Sequence, residues 1–534
     1  MAPSSKAKTH VLKNLDLPSI LEPAETPSHI AGTKVIATLG PACRDVDTLV
    51  DLLESGLAAA RIDLTWGSLE YHKQSLRNLQ LASQKTKLLC AVILDTVGRE
   101  LMIRRDYELD SEGWPTHKEV LEIKKGQELV VTTDETAVAS STKLPISYPH
   151  FAHMCQPGDS LFVGRYLVNG ADQSSLYLEV KEVEGQNVVC TAVNDAVLDG
   201  LLTTDLPLLT QLDEEAIKMY TKEFEIDYIN LTYTCSGLDV HEMREFLDEI
   251  GSTQVKIIAK VENLQALQNF DSIVAAADAV VLSRGNLGLD VAPEKTAVVQ
   301  KAAINRCNLQ GKPVIITRLV DTMVEAPRCT RAEATDVANA VLDGVDGMLL
   351  GAETLRGRYA VETVRTVLSI CRQAELAFDY EEHFEHMITS AMDVRHHPHR
   401  FAAGLIICYA GTGRTASLIA KYRPTVPILA LVVPNLKSKG LSWELEGRFL
   451  ARQFQVMRGL IPLLGAPMGG ANSEQMLAEA VSVALKRGLV RAKQHVVCVL
   501  SVRGDFMLKV VSVDDRQGVP ADQRQVKAAT DPFA

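Results

Sequence analysis

The chain has 534 residues, 46% hydrophobic and 23% charged, too long for one compact core, so roughly two to four domains are expected. No apolar run is long enough to span a bilayer, and a formal charge of −12 offers no basic face for nucleic acid, so neither membrane nor nucleic-acid partners are expected. The ten cysteines are scattered without a C-x-x-C pair, and the N-terminal stretch lacks both a signal core and the Ser/Arg-rich, acid-poor character of a transit peptide; the expectation is a reduced protein of the cytosol.

Residues 1–31 read as an arm, since ordered pattern begins near Gly32. The runs TKVIATLG, AAARIDL, LCAVILD, IDYINLTYT, VKIIAKVEN, AVVLSRG, PVIITR and DGMLLGAET then follow one another, most of them trailed by a helix-period segment. Eight such units predict an α/β fold, a (β/α)8 TIM barrel over 32–97 and 205–375, because near-continuous apolar strands suit a parallel sheet buried on both faces. Within 98–204 the helical period disappears. Short strands at Leu129–Thr132, Ser160–Val168, Leu176–Val183 and Val188–Ala192, parted by KKGQ, QPGD and EVEGQN turns, predict a small all-β barrel domain inserted as a lid. Over 376–515 the runs AAGLIICYA, GRTASLIAKY, VPILALVV, EQMLAEAVSVALKRG, HVVCVLSV and FMLKVVSV predict a separate C-terminal α/β sheet domain with a regulatory role, followed by a mobile polar tail at 516–534.

In a TIM barrel the site is built where strands end, and here those ends are polar. Strand two ends in Arg61, Asp63, Thr65 and Trp66; strand three in Asp95 and Thr96; strand five in Lys260, Glu262 and Asn263; strand six in Arg284, Gly285, Asn286 and Leu287; strands seven and eight in Thr317-Arg318 and Glu353-Thr354. Taken singly, Lys260 with Glu262 reads as a surface ion pair, Arg61 with Asp63 as a rim pair, and Asp95-Thr96 as a turn. Together they place cations and carboxylates at one mouth, the equipment of metal-assisted chemistry on an anionic substrate.

The stretches TKVIATLGPA, ARIDLTWG, LLCAVILDTVG, IIAKVEN, SRGNLG, PRCTRAEATDVANAVLDG and LLGAETLRGRY resemble, in order and spacing, the signature blocks of the pyruvate kinase family. Asp63, Trp66, Val97, Asn286 and Thr317-Arg318 are similar to its plant cytosolic branch. The resemblance implies a glycolytic, tetrameric homo-oligomer that moves the phosphoryl group of phosphoenolpyruvate to ADP with Mg²⁺ and K⁺. It implies that Lys260 neutralises the phosphoryl group in flight, that Arg61 binds the phosphate, and that Thr317 serves protonation of the enolpyruvate. Glu262 and Asn286 match the Mg²⁺ ligands; Asp63, Thr65, Asp95 and Thr96 match the K⁺ pocket, with Glu353 shaping the second cation site. The backbone amides of Gly285, Asn286 and Leu287 match the holder of the substrate carboxylate.

Departures from the family pattern are equally specific. A usual lysine is Val97, a usual proline is Arg99, an arginine near the nucleotide is Met102, and the lid lysine for ADP has no counterpart; Arg99, Arg104 and Arg105 are the candidates for replacement charge. Relatives commonly carry Asn at Asp63 and Asp at Asn286, so this chain exchanges one carboxylate between two cation pockets. Glu100 matches the glutamate of K⁺-requiring relatives. The turn Gly411–Thr415 reads either as a tight βα turn or, by the resemblance, as the fructose bisphosphate loop, but LSVRGDFMLKVV lacks the segment that closes over the sugar, so no activation by that effector is expected. These departures keep two alternatives open: a catalytically weak paralogue acting as a regulatory or structural subunit, and another barrel enzyme of enol or keto acids.

Overall fold

All eight apolar runs fold as short strands with nearly every residue buried, and parallel pairing closes them into one barrel. In the computed structural model these are β1 (Lys34–Thr38), β2 (Ala59–Asp63), β3 (Ala91–Asp95), β4 (Tyr228–Leu231), β5 (Lys256–Val261), β6 (Ala279–Leu282), β7 (Val314–Thr317) and β8 (Gly347–Leu350). Their order around the barrel is β1-β8-β7-β6-β5-β4-β3-β2. The structure describes residues 11, 31–98, 100–103, 108–109, 115–116, 120–134, 136–146, 151–165, 175–198, 202–205, 209, 211–391, 403–439, 442–465, 473–502 and 505–513. Nearly all of the N-terminal arm, the whole 516–534 tail, and Arg99, Arg104 and Arg105 lie outside them.

Ile36, Ala59, Ile93, Tyr228, Ile258, Val281, Ile315 and Leu349 fill the barrel interior, a packed core and not a pore. A second, larger cluster lies between the strands and the surrounding helices. Burial on both faces is why these strands read as continuous apolar runs in place of alternating ones.

Between β3 and β4 the chain builds a seven-stranded antiparallel-rich sheet with its own apolar core. The strands Glu100–Met102 and Leu202–Asp205 pair antiparallel where the insertion leaves and rejoins the barrel, so the β3 corner is closed off from the excursion. Asp213, on the helix Gln211–Glu223 that resumes the barrel, accepts from the amides of Val97 (2.7 Å) and Gly98 (3.0 Å). That carboxylate fixes the backbone just beyond Asp95-Thr96.

The C-terminal region forms a five-stranded sheet: β9 (Leu405–Ala410), β10 (Ile428–Val432), β11 (Leu460–Leu464), β12 (His495–Val502) and β13 (Asp505–Ser512), in the order β11-β10-β9-β12-β13, with β13 alone antiparallel. Sequence periodicity does not show β11, whose Pro462 demotes a strand reading and is tolerated because the strand lies at the sheet edge. This region seals the N-terminal end of the barrel. Val456 joins the barrel-interior cluster, Tyr228 Oη donates to the Gln453 carbonyl (2.8 Å), and Arg423 grips Asp346 with two bonds of 2.9 Å. The other end, where the strands terminate in polar residues, is left for the site.

Candidate active site

Strand register brings the first group together. Asp63 on β2 is level with Asp95 on β3, and Asp95 is level with Asn230 on β4. Asp95 Oδ2 accepts from Arg61 Nη1 at 2.6 Å and Oδ1 from Asn230 Nδ2 at 2.6 Å. The Arg61 guanidinium also donates from Nε to Thr38 Oγ1 (2.8 Å) and has Nη2 3.3 Å from Asp63 Oδ2. Lys260 Nζ, at the end of β5, lies 3.6 Å from Asp95 Oδ2 and 3.4 Å from Glu262 Oε1.

The result is a string of alternating charge, Asp63, Arg61, Asp95, Lys260 and Glu262, in which every side chain is buried. Burial pushes the Asp95 carboxyl above its ordinary value, while Lys260 and Arg61 oppose that rise and Asp63 and Glu262 add to it. The string holds one carboxylate more than it holds cations. Buried charge without a partner is costly, so such a site favours an additional cation.

The second group surrounds Glu262. Its Oε2 accepts from the Tyr233 amide (2.8 Å) and its Oε1 from Asn286 Nδ2 (2.7 Å). Tyr233 reaches that position in the left-handed region, at φ 51°. Thr65 contributes its amide to Asp63 Oδ1 (3.1 Å). Thr96 is tied through its amide to the Asn230 carbonyl (3.1 Å), and its own carbonyl accepts from Thr232 Oγ1 (2.6 Å). Thr317, at the end of β7, has its hydroxyl oxygen 3.2 Å from the Arg284 amide that donates to it. Gly285, Asn286 and Leu287 lie in the seven-residue helix Arg284–Asp290.

Glu353 stands apart from the charge string. Its Oε2 accepts from the Gly351 amide (2.7 Å), and its buried Oε1 has no hydrogen-bond partner. Burial, reinforced by the Asp321 carboxylate, pushes it up to about 7. Thr38, Asn230, Thr232 and Asp213 escaped the sequence reading. Asn230 had one available signal, a lone amide inside an apolar run at a strand end.

The donor set fits hard cations. Asp63 Oδ2 and Asn230 Oδ1 are buried acceptors with no hydrogen-bond partner, as a monovalent ion bound by oxygen would require. Asn286 Nδ2 donates to Glu262 Oε1, so a divalent ion shared by the two would replace that bond and take the Asn286 amide oxygen as its ligand. Among the described residues no group of three or more His, Cys, Asp and Glu side chains is placed to hold a metal ion.

A closed barrel whose mouth holds buried cations, carboxylates and a hydroxyl belongs to an enzyme that handles an anionic substrate with metal assistance. The family profile "Pyruvate kinase, barrel domain" matches residues 30–364 and "Pyruvate kinase, alpha/beta domain" matches residues 385–507. Pyruvate kinase 2, cytosolic, of Oryza sativa subsp. indica is 42% identical over 522 residues, 93% of this chain and 97% of that protein. The cytosolic isozyme of Solanum tuberosum is 33% identical, covering 94% of this chain and all of that one. Among solved structures, Cryptosporidium parvum pyruvate kinase in complex with ADP superposes with TM-score 0.79 at 28% identity, over 93% of this chain and 98% of that chain.

The chain belongs to the pyruvate kinase family. It is an enzyme of that activity, metal-dependent as the family is, and cytosolic as its relatives are named. No helix among the described residues is long and apolar enough to cross a membrane.

Proposed function

We propose that the barrel mouth transfers the phosphoryl group of phosphoenolpyruvate to ADP, with Mg²⁺ at Glu262 and Asn286 and K⁺ at Asp63, Thr65, Asp95 and Thr96. The observation that carries this reading is the buried alternating string from Asp63 to Glu262, one positive charge short of balance. A divalent ion bound at Glu262 and Asn286 would neutralise charge on phosphoryl and enolate oxygens. The remaining work falls to side chains of this chain.

Lys260, desolvated among carboxylates, is fixed to stabilise negative charge that develops on the phosphoryl oxygens, and because it is already ordered it needs no reorganisation at the moment of transfer. Arg61 binds the phosphate before transfer. The amides of Gly285, Asn286 and Leu287 hold the substrate carboxylate, which points the enol carbon toward Thr317. The Thr317 hydroxyl delivers or relays the proton that converts enolpyruvate to pyruvate.

A homotetramer is part of this reading. Its support is the edge strand β13, whose Leu508 is 57% and Val510 36% exposed, an apolar strand edge that a second copy would cover. The test of the function is formation of pyruvate from phosphoenolpyruvate and ADP, coupled to lactate dehydrogenase. ATP must appear in equal amount, and omission of either Mg²⁺ or K⁺ must suppress the rate; pyruvate without ATP would contradict the reading.

A further inference from the structure

Arg318 follows Thr317 at the end of β7 in the left-handed region, at φ 60°. For a residue with a Cβ that conformation costs on the order of 1 kcal/mol and persists only where the surroundings enforce it. The enforcement is visible. Arg284 donates from Nε to the Thr317 carbonyl (2.9 Å) and from Nη2 to the Arg318 carbonyl. Its guanidinium is itself clamped by both oxygens of Asp336, at 2.8 and 2.6 Å. Asp336 lies on the helix Arg331–Asp343, within the TRAEATDVAN block.

The clamp delivers the Arg318 side chain to one place. A Cβ added at Gly285 would stand 2.9 Å from Arg318 Nε and 3.4 Å from Nη2, so the guanidinium rests on the bare backbone of Gly285. Gly285 does not have a positive φ; its glycine is there for space. Arg318 is ion-paired with Asp321 at a loose 3.8 Å and its side chain is 26% exposed, so it borders the mouth and is not sealed in the core.

We infer that Arg318 is a substrate-binding residue, its guanidinium contacting the carboxylate of the three-carbon enol acid beside Gly285, with Arg284 and Asp336 as its positioning residues. The inference rests on the reading of the mouth as a phosphoenolpyruvate site. A planar, permanently charged fork matches a carboxylate with two parallel hydrogen bonds. The same fork would also suit a nucleotide phosphate. The carboxylate is favoured because the Gly285 amide is the proposed holder of that group and the guanidinium lies against Gly285.

The test is phosphoenolpyruvate binding to the Mg²⁺- and K⁺-loaded protein, without ADP, by calorimetry, alongside KM for each substrate. Arg318→Gly removes the charge and also the backbone strain, so its Tm is expected to equal or exceed that of the unsubstituted protein, which separates binding from folding. Phosphoenolpyruvate affinity and KM are expected to weaken roughly ten- to hundredfold, with KM for ADP changed less than about twofold. Arg318→Lys is expected to fall between, and Gly285→Ala to weaken binding in the Arg318 protein but add little to Arg318→Gly. Unchanged phosphoenolpyruvate affinity in Arg318→Gly, or a change confined to ADP, overturns the inference. Failure of the unsubstituted protein to bind phosphoenolpyruvate would instead overturn the reading beneath it.

Discussion

Arg61 donates to Asp95 at 2.6 Å, in a pocket where both side chains are only 1–2% exposed. The guanidinium proposed for the substrate phosphate is thus held by a carboxylate proposed for the monovalent cation. A cation that satisfies Asp63 and Asp95 loosens their hold on Arg61, and a phosphate that engages Arg61 frees the carboxylates for the cation. Linkage makes that effect reciprocal. K⁺ is expected to tighten phosphoenolpyruvate binding, and phosphoenolpyruvate to tighten K⁺ binding by the same factor, each measured by calorimetry; equal affinities with and without the other ligand would refute the coupling.

The exchange at Asp63 and Asn286 makes a second prediction. Asp63 carries the extra carboxylate of the string, while Asn286 offers Glu262 only an amide. Asp63→Asn is expected to raise the K⁺ concentration for half-activation several-fold, and addition of Asn286→Asp to restore part of the loss, since the sites share one network. Strictly additive losses, with K⁺ activation unmoved by Asp63→Asn, would show that Asp63 serves only as a partner for Arg61.

Effector control is the third point. Gly413 has φ 83° and opens the helix Arg414–Lys421, so the loop resembling a sugar-phosphate cradle is present. However, β12 and β13 stay paired out to Val502 and Asp505, which leaves two residues of sequence between the strands where the closing segment of other relatives would stand. Fructose bisphosphate is expected to leave the phosphoenolpyruvate saturation curve in place. A clear leftward shift would contradict this.

His72 predicts an acid limit to stability. It is buried behind the site loop with Nε2 donating to the Trp66 carbonyl, and burial holds it down to about 4 from an ordinary 6.5. A depressed folded-state value means that the stabilisation is complete above pH 6.5 and is lost as pH falls toward 4. The loss is roughly 3 kcal/mol at most. Stability measured by urea unfolding should fall across that window, and His72→Gln should flatten the slope; an unchanged slope would assign the acid sensitivity elsewhere.

Much of this architecture is legible in the chain because a buried parallel strand must be apolar throughout, which makes LCAVILD or AVVLSRG visible and puts Asp95 and Arg284 at their ends. The site residues that announce themselves are those that break such runs with charge. What stays hidden depends on register and side-chain path. Asn230 belongs to the site only because β4 lies beside β3 with Asn230 level with Asp95, and Asp213 reaches the β3 corner from 115 residues away in sequence. Neither distance is encoded locally. The left-handed backbone of Arg318 is likewise invisible, since nothing in the Thr317-Arg318 step marks a turn and the enforcing contacts come from Arg284 and Asp336.

The junction of barrel and C-terminal sheet offers a stability test. Glu375 is buried and accepts from the Gly32 amide (2.9 Å), the Thr33 amide (2.7 Å) and Thr33 Oγ1 (2.7 Å), with Arg458 Nε 3.7 Å away. Glu375→Ala leaves those donors unmatched and strips the buried Arg458 guanidinium, which still donates to the Val341 carbonyl (2.9 Å), of its countercharge, and should cost about 3–5 kcal/mol. A loss below about 1 kcal/mol in chemical denaturation would mean that this network contributes little.

The central claim is that the Lys260 ammonium, held between Asp95 and Glu262, stabilises the phosphoryl group during its transfer. The most direct measurement compares Lys260→Met with the unsubstituted protein for kcat in the coupled assay and for phosphoenolpyruvate affinity by calorimetry. The account predicts that kcat falls by more than about 10²-fold while phosphoenolpyruvate still binds within a few-fold and the fold is retained. A variant that keeps more than about a tenth of the original kcat would contradict it.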